Sequence, residues 1–172
     1  MAWIIVLAIA TLLAILAIVI RSGLMRVRAE VRQSWSSLDT LLIERHDLLP
    51  GLLEPCAHHM RYEQDALDRV SRADAAVIIA AAREDIPALA AAEKSLQGSI
   101  ARLLALADNY PQLGADPAFR GLRERIGQLD EAIRERREHY NFAANLQNVR
   151  SQSFPHRLIA RFIGFHPAAL LE

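Results

Sequence analysis

Residues 2–20, AWIIVLAIATLLAILAIVI, form an unbroken apolar run in which Thr11 is the only polar side chain. Coiled as a helix at ~1.5 Å per residue, the run reaches ~28 Å, close to the ~30 Å hydrocarbon core of a bilayer. A stretch of about 18 or more apolar residues points to a membrane span rather than a buried core helix. A cleavable signal peptide would want a basic start, a shorter apolar stretch and a small-residue exit. Here the chain starts Met1-Ala2-Trp3, and the run ends Ile18-Val19-Ile20-Arg21. A lipid-modified cysteine is excluded at this place, because Cys56 lies far beyond the run. Residues 1–22 therefore read as an uncleaved transmembrane anchor and residues 23–172 as one domain.

Arg21, Arg26 and Arg28 follow the run, and no basic side chain precedes it. The positive-inside tendency then places the N-terminus outside and the domain in the cytoplasm, in a single-pass arrangement in the bacterial inner membrane. A lone cysteine fits a reducing compartment, since domains stapled by disulfides carry even sets. Twenty basic and twenty acidic residues balance to zero net charge, so no global field recruits nucleic acid. All basic residues but Lys94 are arginine, a bias we attribute to a GC-rich genome.

Outward from the anchor the chain reads as helix throughout. Leu24, Val27, Val31, Trp35, Leu38 and Leu42 recur at helical spacing and continue the anchor, with only Ser22-Gly23 as a weak point. Residues 45–51 read as a turn, with Asp47 capping a second helix and Pro50 in its first turn. That second helix is expected to run to about Ala82, kinked by Pro55, with Leu52, Cys56, Met60, Leu67, Val70 and Val77 inward. A short connection at residues 83–87 leads to a third helix built on Leu89, Ala92, Leu96, Ile100, Leu103 and Leu106, ending at Asn109-Tyr110-Pro111. Asp116-Pro117 is a strong start signal for a fourth, carrying Leu122, Ile126, Leu129, Ile133 and Tyr140 to about Val149. Ser153-Phe154-Pro155 opens a short fifth helix that Gly164 ends. The fold class is all-α: a transmembrane helix continuing into a long antiparallel four-helix bundle with a short C-terminal fifth helix.

No catalytic constellation accompanies this fold. The six histidines fall in no HExxH or His-x3-His spacing, and no cysteine pair exists. Glu54 and His58 share a face, and Glu63 lies near His59, so a metal-dependent hydrolase would have to use His58, His59 and Glu63. No Gly-rich phosphate loop or serine elbow is present, and no cofactor is expected. What stands out is a polar and aromatic set beside the expected turns: Arg45, Asp47, Tyr110, Arg137, Tyr140, Asn141 and Asn148. Buried, these side chains must bond one another, because an unpaired buried polar group costs ~1–3 kcal/mol. They read either as a structural network fixing helix register or as a partner-binding patch.

The same residues carry a family resemblance. Trp35-x-x-Leu38-Asp39 through Arg45-x-Asp47-Leu48-Leu49-Pro50-x-Leu52 resembles the LemA family, as do Tyr110-Pro111-x-Leu113 with Phe119-x-x-Leu122 and Arg137-x-x-Tyr140-Asn141 with Asn148. Phe154-Pro155, Leu158-Ile159-Ala160 and Gly164-Phe165 complete the match. The resemblance implies a bacterial membrane protein with one anchor and a helical bundle, and no established enzymatic activity. Members are often encoded beside membrane metallopeptidases, which implies envelope proteins, a metallopeptidase among them, as partners. The chain departs from the family pattern at Glu44, where a second basic residue is usual, at Gly51 in place of Asn, and at Gln147 in place of Tyr.

The expected function is a membrane-anchored, non-enzymatic scaffold or adaptor of the envelope, bound to the bilayer through residues 2–20. The alternatives are a signalling or mechanical element coupled to the membrane helix, or the metal-dependent hydrolase. Ala8, Ala10, Ala14 and Ala17 offer small residues for homo-oligomer contacts within the membrane, without a GxxxG.

Overall fold

A computed structural model describes residues 2–154, 156, 157, 160 and 166–171. Its described elements are helical: α1 (Ala2–His59), α2 (Gln64–Ala82), α3 (Ile86–Ala107), α4 (Pro111–Ala115) and α5 (Pro117–Gln152). The residues fall into two compact units, Met1–Trp35 with His139–Leu170, and Ser36–Glu138 with Leu171–Glu172.

The expected turn at residues 45–51 does not form. Helix α1 passes through Pro50 and Pro55 without ending, although each proline removes one backbone donor and a proline in a helix interior costs ~3 kcal/mol. The reason is the seam. Leu38, Leu42, Arg45, Leu49, Leu52, Cys56 and Met60 recur every three or four residues, and none is more than 2% exposed. Burying each large apolar member contributes ~1.5–3 kcal/mol, so the face as a whole outweighs two prolines. The chain turns later, at residues 60–63, where the Glu63 amide donates to the Met60 carbonyl at 3.0 Å. The expected second helix is thus two pieces: the end of α1, and α2.

The next boundary follows the sequence closely. Helix α2 ends with the Glu84 amide donating to the Ala81 carbonyl and the Asp85 amide to the Ala80 carbonyl, both at 3.0 Å. This is the Schellman arrangement, with Glu84 at φ 51° in the left-handed position that glycine usually holds. Asp85 then caps α3 by accepting from the Ala88 amide at 3.1 Å. Helices α2 and α3 pack closely side by side. Of the inward residues expected in α3, Leu106 is only half-buried, and Ala107 is buried beside it.

Asp116 caps α5 as expected, its carboxylate accepting from the Ala118 amide at 2.8 Å, with Pro117 at the first helical position. The single turn of α4, between Tyr110 and Asp116, is an element that periodicity does not reveal. Most of the expected fifth helix, including Pro155, Leu158, Ile159 and Gly164, lies outside the described residues.

In the unit built from the two chain ends, every side chain from residue 3 to 19 is exposed. Burial begins at Ile20 and Leu24, which pack with Ala160. The N-terminal part of α1 is long and apolar enough to cross a membrane, with a mean hydropathy of 3.1 in its most apolar window.

Candidate functional site

Arg45 occupies a position on the α1 seam that periodicity reserves for a hydrophobe, and its side chain is fully buried. Its guanidinium meets the Glu93 carboxylate of α3 through both terminal nitrogens, Nη1 donating to Oε2 at 3.2 Å and Nη2 to Oε1. Nη1 also donates to Asp130 Oδ1 of α5 at 2.9 Å. Burial alone would lower the Arg45 pKa, but hydrogen bonds and charge from Glu93, then Asp130, outweigh it and hold the group above its ordinary value. The arginine stays a cation and both carboxylates find a donor, so the cluster is a bonded network with no group poised to exchange a proton.

The neighbours of Arg45 extend that network. His46 Nδ1 lies 2.6 Å from Asp74 Oδ2 of α2, and Glu44 pairs with Arg125 of α5. Three successive residues, about 100° apart around the helix axis, therefore bond α5, then α3 and α5, then α2. Sequence reasoning singled out Arg45 but not Glu93, Asp130, His46 or Asp74. The signal was available, because Glu93 follows the buried Ala92 and Asp130 follows the buried Leu129, each on the rim of its helix's apolar seam.

A second group of the expected residues lies in the other unit, on α5. The Tyr140 ring meets Trp35 edge-on, with centroids 5.8 Å apart, and its hydroxyl donates to the Ala169 carbonyl at 3.0 Å. Asn148 grips one residue twice: Nδ2 donates to the Ala168 carbonyl at 2.9 Å, and Oδ1 accepts the Ala168 amide at 2.8 Å. Gln147 Nε2 donates to the His166 carbonyl at 3.2 Å. Asn141, one heptad before Asn148, is half-buried on the same face.

The expected single network is thus divided. Arg45 belongs to the charged cluster, and Tyr140 and Asn148 hold residues 166–169. Asp47 is exposed on α1 and caps nothing, because the helix does not begin there. Tyr110 sits half-buried before α4 and makes no side-chain cap bond. Arg137 is half-buried. His58 and His59 stack edge-on at 4.9 Å, and His59 Nδ1 lies 3.0 Å from Gln112 Oε1. Among the described residues no group of three or more His, Cys, Asp or Glu side chains is placed to hold a metal ion. Cys56 is buried, and burial pushes its thiol up to about 11.

Each departure from the family pattern has a neighbour in the structure. Glu44 is paired with Arg125. A Cβ on Gly51 would stand 3.3 Å from Leu122 Cδ1. Gln147 is buried and bonded to the chain's own backbone.

Comparison with known proteins bears on these residues. The profile described as the LemA family matches residues 34–172, which include both polar groups. Two magnetosome proteins of Paramagnetospirillum magneticum, MamQ 1 and MamQ 2, are each 26% identical over 85 residues, 49% of this chain and 31% of theirs. The matched region therefore spans about a third of the length of these curated relatives.

Proposed function

This chain belongs to the LemA family, and on that premise we propose that it is a membrane-anchored, non-enzymatic helical adaptor of the bacterial envelope. The observation that carries the reading is the exposure of the apolar run. Trp3, Leu7, Leu12 and Ile18 are each about two-thirds or more exposed. An apolar surface of this extent, unburied by its own protein, is far larger than a soluble monomer sustains and calls for an apolar surrounding. The LemA family is not a known enzyme family, and the buried charges of the Arg45 cluster are neutralised by one another, as a register-fixing network requires. In this reading the 36–138 unit packs as an antiparallel four-helix bundle and lies on the cytoplasmic side. MamQ 1 and MamQ 2 extend well beyond the matched region, so their role is not carried over.

The test is cross-linking of the full-length protein in intact cells, followed by mass spectrometry, with a variant lacking residues 2–20 as control. The adaptor reading expects a discrete set of membrane partners that disappears with the anchor. Partners captured equally without residues 2–20, or recovery of the full chain in the soluble fraction, would sink it.

A second reading is favoured by one observation: α1 is continuous through Ser22-Gly23. A helix unbroken from apolar run to polar domain suits a mechanical or signalling element. A flexible insertion at Gly23 should then abolish function while leaving membrane attachment intact, and an insertion without phenotype would remove the idea.

A further inference from the structure

Residues 166–169 are held by α5 through their backbone rather than their side chains. Three α5 side chains supply four bonds: Tyr140 to the Ala169 carbonyl, Gln147 to the His166 carbonyl, and Asn148 to both polar groups of Ala168. The order is reversed between the two partners, with Tyr140 meeting the later residue and Gln147 the earlier, so the segment runs antiparallel to α5.

The spacing explains why this works. Tyr140 and Gln147 are one heptad apart, which along a helix is ~10.5 Å. Their acceptors on residues 169 and 166 are three residues apart, which in extended chain is ~10 Å. Pro167 also biases His166 toward the extended region. A polar ladder on two turns of helix is therefore in register with three residues of extended peptide, whatever side chains that peptide carries.

The bound segment leaves the ladder incomplete. Gln147 is 6% exposed, and its Oε1 has no hydrogen-bond partner among the described residues. Asn148 beside it shows how a carboxamide is satisfied here, by giving to a carbonyl and taking from an amide. The residue after the His166 carbonyl is Pro167, which has no N–H to offer.

We propose that the α5 face carrying Tyr140, Gln147 and Asn148 is a main-chain recognition site for an extended peptide segment of a partner protein, occupied in this structure by the chain's own residues 166–169. A partner segment with an ordinary residue in place of Pro167 supplies the donor that Gln147 lacks and displaces the tethered occupant. The recognition resembles strand addition, in which backbone bonds provide the affinity, except that side chains of a helix take the part of the sheet edge. The inference rests on the adaptor reading for its biological use. Peptide binding by purified protein is measured without any envelope partner, so failure here and failure of the cross-linking experiment are distinct.

The tethered segment competes from an effective concentration of about millimolar, so the assay first weakens it. Ala168→Pro removes the amide that Asn148 accepts and leaves α5 unaltered. Full-length protein in detergent is titrated into the labelled peptide His-Ala-Ala-Ala-Leu-Leu and followed by anisotropy, with helicity checked by circular dichroism. The A168P chain should bind at least tenfold more tightly than the unsubstituted one. Binding should be lost on adding Asn148→Ala, or when the third peptide residue is N-methylated. Equal binding by the two chains, or binding that survives either change, would overturn the proposal. A second measurement uses the unsubstituted chain: exchange of the Ala168 amide should accelerate as peptide is added at millimolar concentration. Exchange that ignores peptide refutes displacement. Exchange that depends on protein concentration alone assigns the site to a second copy of the chain, which also overturns the proposal.

Discussion

Removing Arg45 should be among the most damaging single changes available in this protein. Arg45→Ala deletes the only cation bonded to Glu93, whose carboxylate is 94% buried, and one donor to Asp130, whose side chain is 28% exposed. Asp130 can rehydrate where it stands; Glu93 cannot. Breaking a buried pair by deleting one partner costs ~3–5 kcal/mol, most of it the stranded charge. For a chain of this length each kcal/mol moves the melting temperature by about 2–4 °C. The expected fall is therefore roughly 10 °C, read by thermal circular dichroism of the full-length protein in detergent. The diagnostic comparison is the double substitution Arg45→Met with Glu93→Leu, which removes cation and stranded anion together. Buried pairs exchanged for hydrophobes of similar volume are often neutral or stabilising, so the double variant should recover most of the loss. If Arg45→Ala shifts the transition by less than about 2 °C, or if the double variant melts below the single one, the assignment of Arg45 to a buried register-fixing network is wrong.

Other outcomes follow from local geometry. Glu84→Gly should stabilise by about 0.5–1 kcal/mol in denaturant titration, because the left-handed position at φ 51° suits only glycine without strain; a loss would mean Glu84 makes an uncounted contact. Gly127→Ala has open space around its Cβ and should gain up to ~1 kcal/mol of helix propensity. Gly51→Ala should gain less or lose, since its Cβ meets Leu122 at 3.3 Å, and equal gains at both sites would contradict that contact. Cys56 should resist thiol reagents at pH 8 until the chain unfolds. Its folded pKa of about 11 exceeds the ordinary 9.0, so the folded state keeps its proton longer. That contribution to stability is complete below pH 9 and is lost as pH rises toward 11, which a pH series of denaturation midpoints would reveal.

The fold was legible in the residues wherever local chemistry and periodicity agreed. Asp116-Pro117 opens α5 as read, and residues 83–87 contain the α2–α3 connection, because caps and prolines there sit at the ends of apolar seams. The first turn was misplaced because the two signals conflicted. Pro50 invited a break, while the spacing of Leu42, Leu49, Leu52 and Cys56 carried the seam straight across it, with Arg45 filling the gap. The true turn at residues 60–63 contains neither Gly nor Pro, and Met60 and Leu67 stay in phase across it, so no local signal marks it. The polar residues were found but could not be sorted. Composition does not distinguish an arginine that closes a charge cluster with α3 and α5 from an asparagine that grips a backbone amide twenty residues on. Gln147 stood out only as a departure from the family pattern, and its bond to the His166 carbonyl required the path of the chain to be known.

The three consecutive bonding residues of α1 also bear on how this chain can vary over evolution. Because Glu44, Arg45 and His46 each address a different neighbour, substituting one leaves the other two in place. Inserting or deleting a single residue between Leu38 and Glu44 is different in kind. It rotates the whole triplet by about 100° and turns Arg45 from its carboxylates while presenting its neighbours to the wrong helices. Length in this part of α1 is consequently under tighter constraint than identity. The reverse holds at Arg61 and Tyr62, where the turn is exposed, with Tyr62 97% accessible. Natural length variation, and any epitope or reporter placed inside the domain, should be accommodated there.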